Sequence, residues 1–328
     1  MNKDRAWLKR EILDYLSINP VKKILLVLFL LFIGFLAFKG LPVTSWGPSG
    51  NYENVSVRTT VNITNSFPEI LNITCNSENP VTLNAGTTQT VSCLVEIRDY
   101  NGGGDINYVN GTFFYYLNSS ADPDDNNTHY SNSSCTNTSS SGYFTNWTCV
   151  FDVYYHANNG TWQMNATVND TYGAKDTDVR NSSINALLAL NVTNVIDFGN
   201  MAVTDTYIAT PPPSANVTNF GNVPINVSVW GFGSNDSVAG AGMAMICAVR
   251  NITIHNERWD LSSATGYAAM TRLAVAPDTI EGLTVDKQTV SGSGGYVINA
   301  TYWRLHVNLT TNPFGICNGT VVFAAESP

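Results

Sequence analysis

Two short acidic segments, RDYNGGGD and ADPDDNN, carry the residue types that hold a hard cation. Calcium takes about six to eight oxygen ligands, mostly carboxylates and amides on flexible loops that contain glycine. The candidate calcium ligands are Asp99, Asn101, Asp105, Asp122, Asp124 and Asp125. The EF-hand pattern fails, because Gly103 occupies the fifth position of the first loop and no terminal glutamate follows. A shared site requires the fold to bring both loops to one end of a domain. The favoured interpretation of both segments is that their carboxylates are solvated turn residues, and no bound cofactor is predicted.

The sequence lacks the short motifs that mark common catalytic sites. It has no GxSxG elbow, no HExxH, no P-loop and no dinucleotide glycine fingerprint. The histidines are isolated in sequence and no CxxC pair accompanies them, which argues against a zinc site; they are His129, His156, His255 and His306. We therefore predict a protein that is not an enzyme, with an anchored extracellular hydrolase as the less favoured alternative.

The six cysteines indicate an oxidising compartment. All of them lie after residue 74, and their even number leaves no obligatory free thiol. Six cysteines allow about fifteen pairings. Spacing and position favour three of these pairs, Cys75 with Cys93, Cys135 with Cys149, and Cys247 with Cys317. The third pair closes a loop of about seventy residues, which a chain-entropy model equates with roughly 4 kcal/mol.

Asn-x-Ser/Thr triplets are unusually frequent. Twenty-one occur, all after residue 53, where on the order of eight are expected by chance from the Ser and Thr content. We predict N-glycans on many of them, and the strongest candidates are Asn118, Asn132, Asn137, Asn146, Asn159, Asn226 and Asn318. Glycans agree with an extracytoplasmic address.

The elements that must position these residues are β-strands. TQTVSCLVEIRD places Val91, Cys93, Val95 and Ile97 on one face, and similar β-branched and aromatic runs recur about every ten residues between turn signals. This pattern predicts an antiparallel, immunoglobulin-like sandwich over residues 67–188, with a small barrel as the alternative. The polar segment 131–149 is predicted to be a hairpin closed by a disulfide.

A second block, residues 189–328, is also predicted to be a β-sandwich, with one disulfide. Two FGN triplets, at 198–200 and 220–222, each lie between strand-like stretches and predict paired tight turns in which glycine takes a positive φ. TPPPS is a stiff connection that cannot lie in a central strand. The fold class is therefore mostly β, with two antiparallel sandwiches.

The N-terminal residues predict a membrane anchor. Ile24 to Phe38 are uncharged and apolar, so residues 21–43 are predicted to be a single transmembrane signal-anchor. Basic residues precede this span, which puts the N-terminus in the cytoplasm and the C-terminal body outside. Residues 1–20 are predicted to be a cytoplasmic amphipathic segment, and 44–66 a stalk or first strand. A cleaved signal peptide is the alternative.

Charge excludes one class of partner. Residues 51–328 carry nine Lys or Arg against twenty-two Asp or Glu. A surface so poor in cations cannot neutralise the phosphates of a nucleic acid, so no nucleic acid partner is predicted.

Several longer stretches together resemble a known family. PVTLNAGTTQTVSC, FDVYYHANNGTW, VTNFGNVPINVSV, NITIHNERW and GICNGTVVFAA are similar to segments of uncharacterised, membrane-anchored β-sandwich surface proteins of archaea with small genomes. The resemblance covers nearly all of residues 67–328 and implies no activity. We therefore predict a non-catalytic, membrane-anchored surface glycoprotein that acts in envelope structure, adhesion or cell–cell contact. Its expected partners are other surface proteins or copies of itself, and the alternative is an extracellular receptor for a solute or glycan.

Overall fold

The computed structural model describes residues 57–207, 211–290 and 292–328. In these ranges the helices are single 3-10 turns of three residues, and strands make up most of the regular structure. No helix in the described ranges has the length and apolar character needed to cross a bilayer. The predicted cytoplasmic segment 1–20 and transmembrane segment 21–43 lie outside the described residues.

Eight strands form the first sandwich. They are β1 (Glu69–Cys75), β2 (Thr88–Arg98), β3 (Ile106–Tyr115), β4 (His129–Asn132), β5 (Thr136–Ser141), β6 (Phe144–Tyr154), β7 (Gly160–Asp170) and β8 (Lys175–Ile184). The two sheets have the orders β1-β2-β6-β5 and β4-β3-β7-β8, and all their strand pairs are antiparallel. Lettered from the N-terminus, this is the ABED and C′CFG order of an immunoglobulin fold.

The predicted alternation of β2 is confirmed, because Val91, Cys93, Val95 and Ile97 are all buried while their neighbours are not. These side chains face those of β3 and β7 across one hydrophobic core. Phe113 stacks on Trp162 there with ring centroids 4.9 Å apart.

Ten strands form the second sandwich. They are β9 (Leu190–Val192), β10 (Ser214–Asn219), β11 (Ile225–Gly233), β12 (Met243–Val249), β13 (Asn251–Thr253), β14 (Glu257–Asp260), β15 (Thr271–Arg272), β16 (Asp278–Val285), β17 (Ile298–Leu305) and β18 (Phe314–Glu326). The sheet orders are β15-β14-β17-β10-β9 and β13-β12-β18-β11-β16, around a second core. The order is not the immunoglobulin one, because β18 lies between β11 and β12.

The two sandwiches belong to one compact unit, Ile63–Pro328. The second FGN triplet forms part of their junction: the Leu187 amide donates to Asn222 Oδ1 at 2.7 Å, and the Phe220 amide donates to the Ala189 carbonyl at 3.0 Å. A Cβ on Gly221 would clash with the Leu187 carbonyl, so this glycine is needed for close backbone approach. The sequence had instead predicted that this glycine is needed for a positive φ, which it does not have.

Only Gly199, in the first FGN triplet, has the positive φ that was predicted for both, at 63°. This triplet does not join two strands, because the described residues between β9 and β10 form none. The prediction of paired strand turns is therefore wrong at the first triplet. The residues around this triplet, 193–203, instead run along the open side of the second core.

Polar side chains also join the sandwiches. Lys287 Nζ donates to Asn127 Oδ1 at 3.1 Å and to the His156 carbonyl at 3.0 Å, and Tyr155 Oη donates to Gln288 Oε1. Burial lowers the pKa of Lys287 to about 8, although Asp125 opposes the shift. Burial and then Lys287 lower the pKa of His156 to about 4.

Candidate functional site

A groove lined by both apolar and polar side chains opens into the core of the second sandwich. Its volume is about 1320 Å³. One wall is β9 and the irregular chain after it, residues 193–203, and the other is residues 314–323 of β18. Apolar side chains that line it include Leu190, Met201, Val203, Met245, Val321 and Phe323. All six pack on the second core but are only partly buried.

The groove is open because the sheet edge beside it is short. β9 has three residues paired with β10, and the last backbone bond of this ladder runs from the Thr193 amide to the Asn216 carbonyl at 3.1 Å. Beyond it, Asp197 Oδ1 accepts from the Gly199 amide at 2.8 Å. Asp197 thus accepts a hydrogen bond in a local turn of this irregular stretch. A β-sandwich normally covers its core at this position with a full strand.

The rim of the groove is apolar and exposed. Phe314 and Ile316, on β18, have 76% and 81% of their surface accessible, and Val195 on the opposite side has 67%. The Cys247–Cys317 disulfide, next to Ile316, fixes β18 to β12. An apolar rim around an open core is typical of a surface that contacts another protein.

Glu257 is the buried acidic side chain among the described residues that line the groove, whereas Asp197 lies in the irregular wall. Glu257 is 2% exposed, and its carboxylate has no hydrogen bond or salt bridge to another described residue. Burial raises the pKa of Glu257 to about 8. The carboxyl is therefore largely protonated at neutral pH. Sequence reasoning missed this residue, because an isolated glutamate carries no motif.

A second feature is an exposed apolar stretch that precedes the first sandwich. Val57, Val61 and Ile63 are 82%, 83% and 84% exposed in a stretch that forms no strand. They alternate with polar residues, so an extended conformation puts all three on one face. The predicted stalk or first strand, 44–66, includes this stretch, but β1 begins only at Glu69.

The structure forms the three favoured disulfides, Cys75–Cys93, Cys135–Cys149 and Cys247–Cys317. Two of them join residues directly opposite on paired strands. Cys135–Cys149 closes the hairpin of β5 and β6, as segment 131–149 predicted. The three disulfides indicate an extracellular body.

The acidic loops do not come together, which corrects the predicted shared cation site. Asp99, Asn101 and Asp105 precede β3, whereas Asp122, Asp124 and Asp125 follow it. A strand of ten residues separates the loops by roughly 30 Å. Asp170, which sequence reasoning missed, joins Asp99 and Asp105 instead, with one oxygen of each within 4.8 Å of the others.

The carboxylates of the second acidic loop accept hydrogen bonds from residues nearby in the chain. Asp122 Oδ2 accepts from the Ser119 amide at 2.9 Å, Asp124 Oδ1 lies 3.0 Å from His129 Nδ1, and Asp125 Oδ1 accepts from the Asn127 amide at 2.8 Å. These carboxylates act as local turn acceptors.

The seven glycan candidates are all exposed or half-buried. Asn159 and Asn318 are exposed, and Asn318 lies at the groove. Asn118, Asn132 and Asn137 donate side-chain hydrogen bonds within the first sandwich, which a glycan would have to replace. Asn146 and Asn226 are half-buried. The acceptor Asn169, in contrast, is buried in β7.

The four histidines serve different parts of the fold. His129 and His156 are buried in the first sandwich, whereas His255 and His306 belong to the second. His306 Nδ1 lies 2.8 Å from Thr206 Oγ1. Among the described residues, no histidine belongs to a group of three or more potential metal ligands.

Comparisons with known proteins give no family. No protein-family model and no curated protein matches the chain. Solved structures that match include carbohydrate-binding modules of a β-sandwich superfamily (12% identity, TM-score 0.24, 80% of this chain and 99% of that one). Others are a DUF4785 family protein from Legionella pneumophila (10%, 0.23, 78% and 47%) and a red sea bream transglutaminase (14%, 0.23, 81% and 30%). The chain thus spans under half the length of the last two, and similarity this low supports no statement about function.

Proposed function

We propose that this protein is a non-catalytic, membrane-anchored surface glycoprotein that associates with copies of itself through the groove of its second sandwich. Its role is then in envelope structure or adhesion. The observation that carries the proposal is the groove, where the core is left uncovered beside a three-residue edge strand.

The proposed occupant is the stretch 57–63 of a second copy, in an extended conformation. A strand that adds to a sheet edge gains backbone hydrogen bonds there, and its alternate side chains fill the pockets below. Val57, Val61 and Ile63 supply such side chains, and Thr59 places a hydroxyl among them. Seven extended residues span roughly 23 Å.

The energetic gain is large enough for association. Burying each of three exposed Val or Ile side chains contributes about 1.5–3 kcal/mol. Part of this is offset by the ordering of the segment and by lost overall motion. The membrane anchor would supply the rest, because copies held on one surface meet at high effective concentration.

The variant Val61→Asp tests the proposal. Its side chain is 83% exposed, so the protein should fold normally, while a carboxylate would replace an apolar side chain against the partly buried core residues of the groove. We expect the full-length wild-type protein to form oligomers in light scattering after size-exclusion chromatography, and the variant to be monomeric. The neighbouring Thr60→Asp, on the opposite face of the extended segment, is the matched control and should associate normally.

A peptide of residues 53–66 should bind the monomeric Val61→Asp protein, and Phe314→Asp at the exposed rim should weaken that binding. Unchanged association of Val61→Asp would contradict the proposal. So would a loss of thermal stability at all protein concentrations, since this would place the segment in the groove of its own chain.

A further inference from the structure

A cluster of three carboxylates lies at the end of the first sandwich where the chain enters it. Asp99 follows β2, Asp105 precedes β3, and Asp170 ends β7. The antiparallel pairing of β3 with β7 places Ile106 opposite Asp170, which explains why residues so distant in sequence meet. One oxygen of each carboxylate lies within 4.8 Å of the other two.

The cluster contains buried oxygens without a partner. Asp99 is fully buried; its Oδ1 accepts from the Asn101 amide at 2.8 Å, but its Oδ2 has no hydrogen bond. Asp105 Oδ2 is also buried and unpartnered, while its other oxygen accepts from Thr171 Oγ1. Leaving a buried carboxylate oxygen unsatisfied is expensive, because the ionised group loses its hydration without compensation.

The segment that leads into the sandwich also contacts the cluster. Asn65 Nδ2 donates to Asp170 Oδ2 at 2.6 Å, and Asn65 Oδ1 is buried without a partner. The next residue is held as well, since the Ser66 amide donates to Asn101 Oδ1 at 2.6 Å. Asn101, predicted as a ligand, therefore fixes the entering chain through this oxygen.

Among the described residues, no basic side chain forms a salt bridge with these carboxylates. The three salt bridges among the described residues involve other groups. Burial, together with the charges of Asp105 and Asp170, raises the pKa of Asp99, although the Asn101 amide opposes the shift. Like charges this close repel one another unless a proton or a cation lies between them.

We propose that Asp99, Asp105, Asp170 and Asn65 bind one calcium ion, which fixes the entering segment to the first sandwich. Carboxylate and amide oxygens on loops that contain glycine are the ligands that calcium prefers, and water or backbone carbonyls would complete its shell. No soft ligand is present in the cluster, which disfavours zinc. The site is separate from the groove, and the proposal does not depend on the proposed function.

The role of the ion would be mechanical. Residues 65 and 66 connect the preceding stretch to β1, and they contact the sandwich through the calcium ligands and Asn101. Calcium would therefore hold residues 65 and 66 against the first sandwich, and its removal would release them.

The test is calcium titration of the full-length protein, stripped with EDTA, by calorimetry and thermal unfolding. We expect calcium to raise the unfolding temperature and Asp105→Asn to weaken calcium binding at least tenfold. Without calcium, Asp105→Asn should be at least as stable as wild type, because it removes repulsion. The matched control Asp122→Asn, in the other acidic loop, should bind calcium as wild type does.

Asn65→Ala provides a second variant, outside any strand. Calcium should slow hydrogen exchange of residues 63–70 in the wild type and much less in Asn65→Ala. The proposal is overturned if calcium changes neither stability nor exchange. It is also overturned if Asp105→Asn and Asn65→Ala both bind calcium as tightly as wild type, since the ion would then lie on exposed carboxylates elsewhere.

Discussion

Replacing Glu257 with glutamine should stabilise the second sandwich at neutral pH. The pKa of Glu257 is raised from 4.5 to about 8 by burial, so the native state keeps the carboxyl protonated where the unfolded chain ionises it. Stability is therefore fully present below pH 4.5 and is lost as the pH rises toward 8. At pH 7 the unfolded carboxyl is about 2.5 pH units above its pKa, so its ionisation favours unfolding by about 3 kcal/mol at 1.36 kcal/mol per unit.

Glutamine has nearly the same shape and cannot ionise. We expect Glu257→Gln to match wild type at pH 4.5 and to be more stable by about 3 kcal/mol at pH 7. The assay is urea unfolding of the full-length protein with its disulfides intact, read by hydrogen exchange in β14 and β17. The exposed Glu281→Gln, on β16 of the same sandwich, is the control and should change neither value. Equal pH dependence of Glu257→Gln and wild type between pH 4.5 and 8 would refute the reasoning.

Three further predictions concern the first sandwich. Because His156 is buried with its pKa lowered to about 4, acidification from pH 6.5 toward 4 protonates mainly the unfolded state. It should remove about 3 kcal/mol of stability, a loss that His156→Gln abolishes in urea titrations. Gly111→Ala should lower the unfolding temperature, since its Cβ would lie 2.5 Å from Met164 Cε; a variant as stable as wild type would contradict the packing. Glycopeptide mass spectrometry should find a glycan at exposed Asn159 and none at Asn169, which is 9% exposed; a modified Asn169 would show that glycosylation precedes folding.

The sequence was sufficient where structure depends on neighbours along the chain. The alternation of Val91, Cys93, Val95 and Ile97 identified β2 and its buried face, because side chains in a strand alternate every second residue. The pairing of Cys135 with Cys149 followed from a short polar hairpin. Composition and turn signals likewise predicted a mostly β fold.

The cation cluster shows where such reasoning fails. Asp99 and Asp105 were identified from a glycine-containing loop, but the second loop was chosen by composition alone. The partner that the fold supplies is Asp170, 65 residues beyond Asp105, at the turn after β7. The sequence does show an acidic residue at the end of the alternating stretch GTWQMNATVND. It does not show that β7 pairs with β3, which is what brings Asp170 to Asp105.

What the sequence determined by itself is therefore local: strand faces, turns, the disulfide hairpin and the class of the fold. Only the tertiary structure decided which loops meet, that the second core is left open beside β9, and that Glu257 is buried there. The physical reason is that the period of a strand fixes which face a residue takes, whereas sheet order and register depend on the packing of segments far apart in the chain.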